Sequence, residues 1–86
     1  MLTNPVEQQI LDVIKEDINK SEVDYSTLTN NQIASQINKS VFSVRDKIDN
    51  LSKKKYLIRR INYWTKDNQY HNRIIYLERG SQLDRK

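Results

Sequence analysis

The sequence predicts an α+β domain in which three helices are followed by a two-stranded antiparallel β-hairpin. Three observations carry this reading. Up to Leu51, apolar residues recur at helical spacing in three separate stretches, and each stretch is preceded by a residue type that caps helices. After Tyr56 the period changes to the alternation of strands, in two runs rich in β-branched and aromatic residues. The chain has 86 residues, 36% of them hydrophobic, which suffices for one core and not for a deep catalytic cleft beside it.

The first helix begins at Asn4 and Pro5. Asn is a cap, and Pro at the first helical position has no amide to lose there. Val6, Ile10, Val13, Ile14 and Ile18, with Leu11 beside them, form a broad apolar stripe; Glu7, Asp12, Lys15, Glu16 and Asp17 are assigned to water. The helix is expected to end between Asn19 and Ser21. In the connector, Val23 and Tyr25 alternate with polar neighbours, so a short extra strand is possible near residues 23–27.

The second helix starts after Thr29, because Gln32 stands three residues on and the pair can close a capping box. Ile33, Ala34 and Ile37 share one face, and the small Ala34 lets another helix cross closely. Asn38 tolerates the left-handed conformation better than any residue but Gly, so the chain can reverse between Gln36 and Ser40 without a long loop. Ser40 then caps a third helix, expected to run to Lys55, in which Val44, Ile48 and Leu51 are the buried stripe. Its opposite face carries Phe42, Asp46, Asn50 and Lys53, with Ser43, Arg45 and Lys47 on the flanks.

The two strands are expected at Leu57 to Trp64 and Arg73 to Leu77, joined by the eight polar residues TKDNQYHN. No Gly is present for a two-residue turn. Ile58, Ile75 and Leu77 are the candidates for the face that covers the helices, and Arg59, Lys66, His71 and Arg73 form the outward set. Trp64, at the hairpin's shoulder beside Tyr63, is expected to close the core, with stacking on nucleic acid as the alternative. Residues 1–79 form the domain and 80–86 a flexible basic tail.

Composition excludes several functions. There is no cysteine, so no disulfide, thiolate nucleophile or cysteine-ligated zinc can be invoked, and His71 is the sole histidine, which leaves no imidazole metal site. No cofactor is expected. No apolar run approaches the roughly 20 residues that span a bilayer, and no signal peptide opens the chain, so a cytoplasmic protein with no membrane partner is expected. The net charge of +4 conceals a segregation. Residues 1–38 hold two lysines against six carboxylates, a net of −4, whereas residues 39–86 hold thirteen Lys or Arg against five carboxylates, a net of +8. The positive charge begins where the third helix begins, as expected for a face offered to a polyanion.

Thr29, Ala34, Asn38, Ser40, Val44, Ile48 and Leu51, followed by KKKYLIRR and then RIIYL, resemble the winged helix-turn-helix family of small bacterial, phage and plasmid regulators and replication proteins. The resemblance covers about residues 5 to 79. Two positions depart from the family pattern: Lys39, where an apolar residue is usual, and Lys55, where Gly is frequent. The resemblance implies that the hairpin is a wing, that residues 23–27 can pair with it, and that the third helix enters the major groove of DNA by its N-terminal half. Ser43, Arg45, Asp46 and Asn50 would then read base edges. Arg45 suits guanine and Asn50 adenine, Asp46 accepts from cytosine or orients Arg45, and Val41 or Phe42 packs on a thymine methyl. Lys39, Ser40, Lys47, Lys53, Arg59, Lys66, His71 and Arg73 would hold the backbone.

Duplex DNA is thus the expected partner, bound by a monomer or a homodimer acting as a regulator. A second reading makes the chain an accessory subunit of a larger replication or mobile-element protein. Its fold would then hold that partner or a single strand, because Tyr56, Tyr63, Trp64, Tyr70 and Tyr76 interleave with basic residues as stacking platforms do. A third makes it a protein-interaction module. Enzyme function is not expected, since neither paired carboxylates nor a nucleophile with a base can be found.

Overall fold

The computed structural model describes residues 4–77. The expected tail at 80–86 lies outside them. Three α-helices, α1 (Pro5–Lys20), α2 (Asn30–Ile37) and α3 (Val41–Lys53), are followed by two antiparallel strands, β1 (Leu57–Trp64) and β2 (Tyr70–Leu77). The layout is α+β, three helices and then a hairpin.

Each helix begins where a side chain satisfies its free amides. Asn4 accepts from the Glu7 amide at 2.8 Å and Thr29 from the Gln32 amide at 3.1 Å, and both helices close a full capping box. Ser40 accepts from the Ser43 amide at 3.1 Å. α2 stops at Asn38, whose φ of 60° lies in the left-handed region, while the Lys39 amide reaches back to the Ala34 carbonyl. α3 stops two residues short of the expected Lys55. There the Lys55 and Tyr56 amides return to the Ser52 and Leu51 carbonyls, and Lys55 takes φ 68°, a Schellman ending with lysine in the place of glycine.

The three apolar stripes meet in one core. Ile10, Leu11 and Ile14 of α1, Ile33 and Ala34 of α2, and Val44, Ile48 and Leu51 of α3 are buried, joined by Leu57 and Ile75 from the hairpin. Each large aliphatic side chain so enclosed contributes roughly 1.5–3 kcal/mol relative to exposure. Glu7, assigned to water from the sequence, is instead only 1% exposed. It caps α1 from within and accepts from Lys54 Nζ at 2.9 Å, so it ties the start of α1 to the end of α3. A carboxylate can be buried there because it is both paired and hydrogen-bonded.

The hairpin differs from expectation in three respects. Its loop has five residues rather than eight, since Tyr70, His71 and Asn72 belong to β2. Thr65 closes it, accepting from the Asp67 and Gln69 amides, and Asn68 supplies the positive φ that the missing glycine would have given. The inward residue of β1 is Leu57, 1% exposed, and not Ile58, which is 42% exposed. Lastly, the extra strand near residues 23–27 reduces to one bridge, Ser26 with Ile75, made by two backbone hydrogen bonds of 2.8 and 2.9 Å. Val23 is exposed, while Tyr25 packs edge-on against Tyr63 and Tyr76.

Candidate nucleic-acid interface

α3 separates its residues by face. With Val44, Ile48 and Leu51 turned into the core, the residues of the opposite face emerge on the outside: Phe42, Arg45, Asp46, Asn50 and Lys53 are all exposed. Phe42 is 66% exposed, and the Arg45 guanidinium, one turn on, lies 5.5 Å from its ring centroid. This contact holds Arg45 along the helix with its fork available. Lys39 and Ser40 are exposed at the N-terminal end. Ser43 and Lys47 are half-buried on the flanks, and Val41 is half-buried against the core, so of the two candidates for an apolar contact Phe42 is the accessible one.

The hairpin's cations are not one outward row. Arg59 Nη1 donates to Asp49 Oδ1 of α3 at 2.6 Å. Arg73, expected on the outward side, is half-buried. Its Nη2 donates to the Leu28 carbonyl at 2.6 Å and its Nη1 to Asn30 Oδ1, which locks β2 to the start of α2. Burial and, secondarily, the neighbouring Arg59 lower its pKa from the ordinary guanidinium value. His71 is half-buried with its ring 6.4 Å from that of Tyr25. Lys66 alone of the expected outward set is exposed with no partner shown among the described residues.

Both misplaced arginines follow from strand phase. Arg73 stands two residues before Ile75 and therefore shares its face, and Arg59 pairs with Ile75 in register, so both point toward the helices. Because Leu57 and not Ile58 turns inward, the two faces of β1 are exchanged relative to expectation, and Arg60 rather than Arg59 faces outward. Arg60 is exposed, with its guanidinium 5.8 Å from the Tyr76 ring. The Arg59–Arg60 doublet carried that signal, because adjacent residues of a strand must face opposite ways. The Tyr76 phenol titrates above its ordinary range, chiefly through burial and then through its hydrogen bond with Tyr63.

Trp64 is the largest departure. Instead of closing the core it is 61% exposed and packs against Tyr70, its cross-strand partner, with centroids 5.2 Å apart and planes inclined by 55°. Tyr70 also lines a cleft of about 480 Å³ with Asn30, Asn31, Arg73 and Val41, the first residue of α3. The far end of the hairpin therefore borders the N-terminal end of α3.

Among the described residues no three His, Cys, Asp or Glu are gathered as a metal site needs, and no helix is long and apolar enough to cross a membrane. No protein-family model, no curated protein and no solved structure matches this chain.

Proposed function

We propose that this chain is a winged-helix DNA-binding protein that lays α3 in the major groove, with the hairpin as the wing beside it. The observation that carries the reading is the division of α3, with three aliphatic residues fully enclosed on one side and Phe42, Arg45, Asp46, Asn50 and Lys53 exposed on the other. An exposed helical face with a guanidinium, an amide and a carboxylate supplies the donors and acceptors that base edges demand. Lys39, Lys47 and Lys53 on the same helix and its approach, with Arg60 and Lys66 on the hairpin, provide charge for the phosphates. Arg59 and Arg73 tie the hairpin to α3 and to the start of α2, and their part in binding is to position the other groups.

The test is binding of a labelled random-sequence duplex over a series of salt concentrations. The expected result is an affinity whose logarithm falls linearly with the logarithm of salt, with a slope of about −4 if about four phosphates are neutralised. Absence of binding at low salt, or binding indifferent to salt, overturns the proposal.

A further inference from the structure

At its base the hairpin serves the fold, since Leu57 and Ile75 complete the core. At its far end it does not. Trp64 and Tyr70 are 61% and 44% exposed, although either ring could have enclosed apolar surface had it turned inward. The pair is held in place: the Tyr70 hydroxyl donates to Asn62 Oδ1, Asn62 itself takes a left-handed φ of 54°, and Thr65 ties the adjoining turn. The result is a fixed aromatic surface facing solvent, beside the cleft that Tyr70 shares with the first residue of α3.

We infer that this surface is a stacking plate for an unpaired base, and that the preferred DNA is a duplex with a single-stranded arm rather than a continuous duplex. The inference rests on the DNA-binding reading above and adds the substrate class. With centroids 5.2 Å apart and planes inclined by 55°, the two rings cannot admit a base between them, which needs about twice the 3.4 Å spacing of stacked bases. A base therefore lies on the outer face of the plate. Continuous duplex buries its base faces, so only an unpaired or terminal base can be accepted. The occupant is assigned by charge: with Arg59 paired to Asp49, residues 57–77 still carry Arg60, Lys66 and Arg73 against Asp67 alone, which favours a polyanion over a cationic or neutral partner.

Trp64 is the only tryptophan, so its emission reports this surface alone. The experiment is competition against a labelled random-sequence fork by unlabelled fork or by covalently closed circular duplex, with Trp64 emission followed in parallel. The fork should bind roughly five- to a hundredfold tighter per nucleotide and quench the emission, as expected for one stacked base. Trp64→Thr should abolish the preference while retaining closed-duplex binding with the wild-type salt slope, and Trp64→Phe should keep most of it. Circular dichroism melting confirms that both variants are folded. Equal binding of fork and closed duplex by the wild type, with emission unchanged, overturns the plate and leaves duplex binding standing. Failure to bind either form with a salt slope overturns both.

Discussion

Arg59 Nη1 and Asp49 Oδ1 stand 2.6 Å apart, so the first strand of the hairpin is tethered to the flank of the helix proposed to enter DNA. The side chains are 37% and 46% exposed, and a pair so hydrated is worth roughly 0.2–1 kcal/mol. Its effect on binding a polyanion is expected to exceed its effect on stability. Asp49→Asn should change the thermal midpoint by no more than about 4–8 °C while raising affinity for random duplex at low salt. The salt slope should steepen by about 1 as Arg59 is released to a phosphate. A loss of affinity in the folded variant would count against α3 and β1 facing the same nucleic acid.

Arg45 lies on the exposed face of α3 with its guanidinium over Phe42, whereas Lys66 sits in the hairpin turn. Arg45→Ala should weaken binding to a selected site more than to random duplex, by roughly 1–3 kcal/mol of discrimination. Lys66→Ala should weaken both alike and make the salt slope shallower by about 1. Fluorescence anisotropy with the two duplexes decides between the roles, and equal losses from Arg45→Ala remove Arg45 from the base-reading set.

Arg73 bridges two acceptors, the Leu28 carbonyl and Asn30 Oδ1, from one planar fork. Lysine keeps the charge but cannot reach both with the same geometry. Arg73→Lys should therefore cost about 1–3 kcal/mol in urea denaturation and leave the affinity of the folded fraction for random duplex unchanged. A variant as stable as the wild type but deficient in binding would return Arg73 to the phosphate contacts.

Lys55 holds a φ of 68°, a conformation in which a side chain crowds the backbone and glycine does not. Lys55→Gly should stabilise the protein by about 1 kcal/mol, and Lys55→Val should destabilise it, since branching at Cβ worsens the same crowding. The urea midpoints of the two variants should fall on opposite sides of the wild type.

Much of the candidate interface could be read from the residues because its determinants are local. Val44, Ile48 and Leu51 recur at one helical face, so the exposure of Arg45, Asp46 and Asn50 follows from the helix period alone. Strand phase is a different matter. Leu57 and Ile58 are equally apolar, and nothing within a few residues says which turns inward; pairing with Leu77 and contact with the helices decide it. A shift of one residue exchanged the two faces of β1 and with them the roles of Arg59 and Arg60.

The sequence by itself determined where each helix starts, through Asn4, Thr29 and Ser40, where α2 stops, at Asn38, and that a hairpin follows. Those outcomes depend on atoms within about one helical turn of one another. Only the tertiary structure decided that Glu7 is buried against Lys54, 47 residues away, that Arg73 is bound to Asn30 across 43, and that Trp64 remains outside. A charged side chain can be satisfied by water or by a complementary partner, and an aromatic one gains from burial only where the packing offers it a place, so the outcome depends on how distant elements meet.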